Sequence, residues 1–172
     1  MPKRLISTLI LSAVVSFCFL DTLYAAHYKS RDSLRVVKIE LCLDKPKGYG
    51  RYIPSGNNEF GKNDLDIYVY LEVENCKPAR DANLFLTTLA LDMDIYYNDG
   101  VCIYSQEEVN ISINTSLANN SNSYIWAKID TRYLKEGEYK VEMTVRDENS
   151  RKEAFALTRF TKIDASTREA QR

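Results

Sequence analysis

The sequence predicts an all-β fold, a two-sheet antiparallel sandwich of about seven to nine short strands. From Leu34 onward, apolar residues recur with a period of two, which is the spacing of a strand with one buried face. Turn-forming residues separate these stretches, and no apolar stripe with the 3.6-residue period of a helix accompanies them. The alternation therefore predicts one β-sandwich domain over residues 34–163.

The N-terminal segment, residues 1–26, has the pattern of a secretory signal peptide. Lys3 and Arg4 form a positively charged N-terminal region, and an apolar run follows over residues 5–20. The small residues Ala25 and Ala26 form a cleavage site. We therefore expect an exported protein, periplasmic or secreted. Its mature chain begins with a short flexible N-terminus over residues 27–33.

Two alternatives for this leader are weaker. The apolar run ends at Asp21 after about 16 residues, which is shorter than the roughly 20 that a membrane-spanning helix needs. Lipidation at Cys18 would require a small residue before it, and that position holds the bulky Phe17. We expect no stable membrane insertion after cleavage.

The first predicted strand covers Val37–Leu43, with its odd-numbered residues facing the core. Residues 44–62 are rich in glycine, proline, asparagine and charge, which predicts a long loop. The stretch from Ile67 to Glu74 alternates most cleanly. Its aliphatic residues define a core face, and Tyr68 and Tyr70 point to the other side.

Residues 84–97 predict either one bent strand or two strands joined by a kink near Thr88. Asn98-Asp99-Gly100 tolerates positive φ, which predicts a tight hairpin into a strand that begins at Val101. A separate short strand is predicted over residues 109–113, and residues 114–123 are predicted to form its exit loop.

Three more strands complete the predicted sandwich, over residues 124–129, 139–145 and 152–163. Trp126 lies in the first of them, and a large aromatic residue at that position is typical of a sandwich core. Residues 164–172 are small or charged, so we expect a disordered tail.

The segment from Leu134 to Val141 resembles the corner before the sixth strand of fibronectin type III and other immunoglobulin-like domains. The resemblance implies structural roles for Gly137 and Tyr139, whose hydroxyl would bond to the backbone upstream. The continuation from Val145 to Phe160 is similar to the last hairpin of many bacterial extracytoplasmic sandwich domains, and residues 59–75 resemble the second strand of uncharacterised periplasmic proteins of that kind. The resemblance departs from antibody domains because Trp126 follows all the cysteines of the mature chain.

The cysteines of the mature chain, Cys42, Cys76 and Cys102, would meet an oxidising compartment after export. An odd number allows one possible disulfide and one spare thiol, or three buried thiols. The sequence does not choose among the three pairings.

Several function classes are disfavoured by composition. The chain has one histidine, His27, at the start of the mature chain, so imidazole-dependent nucleophiles and histidine-containing zinc sites are poorly supported. Without the leader, 21 basic and 23 acidic residues remain, which disfavours electrostatic binding of nucleic acid. We expect no cofactor and no metal.

Acidic and aromatic side chains offer the remaining candidate sites. Asp92 and Asp94 share one strand face near Asp99, a pattern that fits a solvated surface, a calcium site or a pair of hydrolytic carboxylates. The outward Tyr68 and Tyr70, together with Trp126, are possible ligand contacts, although outward tyrosines also serve strand pairing.

Asparagine residues begin three N-x-Ser/Thr triplets, which would be glycan acceptors in a eukaryotic secretory host; they are Asn110, Asn114 and Asn119. We favour a bacterial source, and in a bacterium such triplets do not indicate glycosylation.

The sequence favours a non-enzymatic, exported interaction or scaffold module, whose partner would be another extracytoplasmic protein or a glycan. The alternative is a carbohydrate-binding module that uses the outward tyrosines. A small hydrolase is the weakest hypothesis because it would have to work without an imidazole.

Overall fold

The computed structural model describes residues 33–163, and the regular structure of this range is entirely β-strand. The predicted signal peptide 1–26, the predicted flexible N-terminus 27–33 except Ser33, and the predicted disordered tail 164–172 lie outside the described residues, and so does His27. The strands are β1 (Arg35–Cys42), β2 (Glu59–Phe60), β3 (Asp66–Glu74), β4 (Ala79–Asp81), β5 (Leu84–Tyr97), β6 (Val101–Ser116), β7 (Ser123–Asp130), β8 (Gly137–Asp147) and β9 (Lys152–Lys162).

The strands form two sheets. The three-stranded sheet has the order β1-β3-β7, and both of its pairings are antiparallel. In the six-stranded sheet, β5 pairs with β6 along one edge, while β4 and β8 share its other edge. Next to β8 comes β9, and the short β2 joins β9 in parallel. The predicted all-β, two-sheet fold is therefore confirmed.

A single apolar core lies between the two sheets. Alternate residues of β3, β5, β7 and β8 point into it, as their two-residue period predicts. From the three-stranded sheet, Ile67, Val69, Leu71 and Val73 are fully buried. Along the sides of the core, β1 approaches β9 and β6 approaches β7.

The inward face predicted for the first strand is correct for Ile39 and Leu41 and wrong for Val37 and Leu43. Ile39 and Leu41 do lie opposite the core residues of β3, but the pairing register shifts between Val36 and Lys38. This bulge turns Val36 toward the core and leaves Val37 exposed, because an extra residue reverses the faces beyond it. Leu43 lies beyond the end of β1 and is also exposed.

The predictions for residues 101–123 need a correction. Instead of two short strands and a loop from residue 114, β6 is one strand of 16 residues. A bulge in β6 at Glu108, whose φ is +51°, interrupts its pairing with β5. The carboxylate of Asp92 accepts a hydrogen bond from the Glu108 amide at 2.9 Å and thereby holds the bulge. β5 is one continuous strand, which settles the alternative left open by the sequence.

The corner before β8 is held by two tyrosine hydroxyls. Tyr139 is buried and donates to the carbonyl of Lys135 at 2.7 Å, which is the contact that defines a tyrosine corner. Tyr97 donates to the carbonyl of Glu136 at 2.9 Å, and its ring lies against Gly137. Gly137 has φ +140°, a backbone conformation that residues other than glycine rarely adopt.

Within residues 33–163, no helix has the length and apolar character needed to cross a membrane.

Candidate functional site

The outer side of the three-stranded sheet carries a cluster of aromatic rings, which we name the tyrosine face. It consists of Tyr52, Tyr68, Tyr70, Tyr124 and Trp126. The long segment between β1 and β2, residues 43–58, folds back over part of this face through Tyr52 and Gly50. The period of two in β3 and β7 brings these rings to one side of the sheet.

Tyr70 points to the predicted side of β3, but it is not available to a ligand. Its ring stacks on Tyr52 with centroids 4.4 Å apart, and its hydroxyl accepts a hydrogen bond from the Gly50 amide at 2.8 Å. The same hydroxyl donates to Glu72 at 3.0 Å, and the side chain has 0% exposure. The segment 43–58 therefore buries Tyr70 on the outer side of the sheet, away from the main core. Its assignment as an outward ligand contact is wrong.

The expected core position of Trp126 is also wrong. Its neighbours Ile125 and Ala127 enter the core from β7, so Trp126 lies half-buried on the tyrosine face. Its ring meets Tyr68 edge to face at 5.7 Å, and the ammonium of Lys45 lies 4.7 Å from its centroid. Tyr68 and Trp126 are thus partly accessible but already packed against protein groups.

Beside the tyrosine face lies a cleft of about 370 Å³, which we name the asparagine cleft. Three elements form it: the segment 43–58, the paired ends of β5 and β6, and the turn into β7. Its walls carry three rings and three amides, from Tyr49, Phe85, Tyr124, Asn114, Asn120 and Asn122. Serine, threonine and one isoleucine complete the lining, so no charged side chain of the described residues lines the cleft.

Tyr49 is the most exposed ring of the asparagine cleft, at 42%. The side chains of Asn122 and Glu72 lie near its hydroxyl. Partial burial raises the pKa of Tyr49, with a smaller contribution from the nearby Glu72 and Glu74 carboxylates. The hydroxyl is therefore a neutral donor and acceptor at physiological pH, as are the amides around it.

The free edge of β7 is covered by asparagine side chains of β6. The amide of Asn110 donates to the carbonyl of Trp126 at 2.6 Å. Asn114 donates to the carbonyl of Tyr124 at 3.0 Å and to the Ser123 hydroxyl at 2.8 Å. These side-chain amides bond to backbone carbonyls of β7 that a neighbouring strand would otherwise bond to at this edge. A glycan on either amide would remove these contacts, whereas Asn119 is exposed in the following loop.

Replacing Asn114 with alanine is expected to destabilise the fold by about 1–3 kcal/mol, because the partly buried Tyr124 carbonyl loses its donor. Urea denaturation at pH 7 measures the change in the free energy of unfolding. Asn119→Ala is the matched control and should stay within about 0.5 kcal/mol of the unmodified protein. Equal losses in both variants would show that the Asn114 contacts do not stabilise the sandwich.

The acidic candidates of the sequence do not form a shared site. Asp92 and Asp94 lie on the outer face of β5, where the guanidinium of Arg146 binds Asp92 at 3.0 Å. Asp99, in the β5–β6 hairpin, pairs with Arg159 at 3.2 Å. Over residues 33–163, no three His, Cys, Asp or Glu side chains come close enough together to hold a metal ion.

The cysteines Cys42, Cys76 and Cys102 are free thiols, so the possible disulfide is not formed in this structure. Cys42 pairs in register with Tyr68 near one end of β3, while Cys76 lies beyond its other end. About 20 Å of strand separates these positions, far more than a disulfide spans. Cys102 is exposed on the six-stranded sheet, whereas the other two are buried.

Sequence reasoning missed the asparagine cleft because more than half of its lining residues come from segments that were predicted to be loops. Tyr49 lies in the 44–62 loop, and Asn120 and Asn122 lie in the 114–123 segment. The signal that could have drawn attention to them is the run of neutral amide and hydroxyl residues from 119 to 123, immediately before an aromatic strand.

Comparison with known proteins yields only distant structural neighbours. No protein-family model and no curated protein matches the chain. A β-glucuronidase from Bacteroides uniformis aligns with 75% of this chain at a TM-score of 0.42 and 13% identity, and the chain spans 14% of that enzyme. A family 123 glycoside hydrolase from Clostridium perfringens aligns with 77% at a TM-score of 0.41 and 11% identity, and the chain spans 28% of it.

Proposed function

We propose that this chain is an exported, non-enzymatic recognition module of the immunoglobulin-like type, and that it binds an uncharged carbohydrate in the asparagine cleft. The observation that carries the proposal is the lining of the cleft: aromatic rings beside neutral amides and hydroxyls, with no charged side chain from the part of the chain that the structure describes. A sugar ring has apolar C–H faces that pack on aromatic rings and hydroxyl groups that pair with amides. The volume lies within the range of small-molecule sites.

The immunoglobulin-like part of the proposal is supported by strand order and by the tyrosine corner. In such domains, strands A, B and E form one sheet and strands C, F and G form the other. In chain order, β1, β3 and β7 correspond to A, B and E, and β5, β8 and β9 correspond to C, F and G. Tyr139 then lies near the start of strand F, the position of the corner tyrosine in that fold.

The test is binding of the purified protein to an array of neutral oligosaccharides, followed by calorimetric titration with any glycan that binds. Tyr49→Ala should weaken binding at least about tenfold, because it removes the exposed stacking ring. Tyr133→Ala is the matched control, since Tyr133 is 85% exposed but lies outside the cleft. Tyr68→Ala tests the tyrosine face and should leave affinity unchanged.

Two results would contradict the asparagine cleft as a sugar site. One is an array without binding to any neutral glycan. The other is loss of affinity in Tyr68→Ala with normal binding in Tyr49→Ala, which would move the site to the tyrosine face.

A protein-docking module is the second candidate function, favoured by the first half of β6. Residues 101–108 are exposed, and β6 pairs only with β5 among the described strands. Val101 and Ile103 are apolar, and an unprotected apolar edge can accept an extended segment of an extracytoplasmic partner. Ile103→Lys would abolish such binding and leave glycan binding intact.

A further inference from the structure

A second cleft, of about 420 Å³, lies at the opposite end of β7 from the asparagine cleft. We name it the lysine cleft, after its basic lining residues Lys62, Arg132, Lys135 and Lys162. Among the described residues, Glu136 is the one acidic side chain that lines it, and two leucines and an isoleucine supply apolar walls. This concentration of positive charge contrasts with the formal net charge of −1 of the whole chain.

Lys162 forms the floor of the lysine cleft and is 7% exposed. Its ammonium donates to the carbonyl of Gly61 at 2.8 Å and to the hydroxyl of Thr131 at 3.0 Å, with the carbonyl of Asp64 at 3.4 Å. All three acceptors are neutral oxygens, so the hydrogen bonds are satisfied while no carboxylate of residues 33–163 contacts the ammonium. Burial lowers the pKa of Lys162, which the more distant Asp64 carboxylate offsets in part.

Besides Lys162, the basic side chains that line the cleft are Lys62, Arg132 and Lys135. Arg132 is already neutralised, because its guanidinium Nε lies 2.9 and 3.1 Å from the two carboxylate oxygens of Asp130. Lys62 and Lys135 are exposed, and neither ammonium forms an ion pair within residues 33–163. Two lysines that form no ion pair with the described residues therefore line the same cleft as the buried Lys162.

We propose that the lysine cleft binds an oxyanion, the carboxylate, sulfate or phosphate group of a small ligand. A buried cation without a carboxylate partner is electrostatically costly, and an anion in the cleft offsets that cost. Lys62 and Lys135 would form charge-assisted hydrogen bonds to the oxygens, and the apolar walls would contact the carrier of the anion. This site is separate from the asparagine cleft, at a distance of about 20 Å along β7.

The experiment is a titration of the isotope-labelled protein with inorganic phosphate, inorganic sulfate and glucuronate at low ionic strength, followed by amide chemical shifts. Shifts around Lys62, Lys135 and Ile163 are expected for at least one anion, and none for glucose, which has no charge. Comparison of the three affinities shows whether the cleft prefers a phosphate, a sulfate or a carboxylate group. In Lys62→Gln/Lys135→Gln the affinity should fall about tenfold.

The matched control is Lys47→Gln/Lys77→Gln, which removes the same charge from exposed positions outside the cleft. It should retain the affinity of the unmodified protein. The proposal fails if no anion shifts these amides, or if both double variants lose affinity equally, because general attraction by surface charge would then explain binding. Neutral-glycan binding is measured in parallel and is independent of either result.

Discussion

Gly137→Ala is expected to cost roughly 3–5 kcal/mol of stability, the largest effect of any single substitution considered for this chain. A Cβ at this position would lie 2.6 Å from Cε2 of Tyr97, well inside van der Waals contact. The φ of +140° adds backbone strain for any residue with a side chain. Because the Tyr97 hydroxyl bonds the Glu136 carbonyl, the ring cannot move away without losing that contact. Urea denaturation followed by circular dichroism measures the loss.

Gly56→Ala separates steric overlap from backbone strain. Gly56 has φ +93°, and a Cβ there would meet no atom within 4 Å, so only the strain of about 1–2 kcal/mol is expected. If overlap with the ring dominates at Gly137, then Gly137→Ala should cost less in a Tyr97→Ala background. Additive losses in that double-mutant cycle would contradict the steric explanation.

The parts of the fold that the sequence predicted well are those in which one strand face meets the core and the other does not. β3 and β8 have unbroken alternation, and every predicted inward residue of Tyr139–Val145 is buried. β1 failed at Val37 because a bulge reverses the faces without changing the residue pattern. Alternation specifies two faces but does not fix the residue at which an extra position is inserted.

The candidate site was harder to predict because its features depend on segments that are distant in sequence. The period of β3 correctly separated Tyr70 from the aliphatic face, but it could not show that residues 43–58 fold over that ring. Trp126 was misplaced because large aromatic residues are common in cores, whereas its immediate neighbours fill the core here. The asparagine cleft combines three such segments, so no local pattern reports it.

The second large effect is expected at alkaline pH, where the folded protein should lose about 3 kcal/mol of stability between pH 8 and pH 10.5. Burial raises the pKa of Cys42 to about 11 and that of Cys76 to about 12, from an ordinary value of 9.0. Burial raises the pKa of Tyr70 as well. These groups ionise in the unfolded chain before they ionise in the folded one, so the unfolded state is stabilised as pH rises above 9. The lowered pKa of Lys162 acts in the opposite sense and offsets part of the loss.

Removal of one thiol tests this linkage. Cys76→Ala should cost about 1 kcal/mol at pH 7 through lost packing, yet its stability should fall less steeply with pH because one titrating group is gone. Cys102→Ala is the matched control, since its thiol is exposed and its removal should leave the slope unchanged. The measurement is the free energy of unfolding by urea at half-unit steps from pH 7 to pH 10.5 under reducing conditions. Parallel slopes in the two variants would mean that burial of the Cys76 thiol does not govern the alkaline loss, and the Cys42 thiol and the tyrosine hydroxyls would then have to account for it.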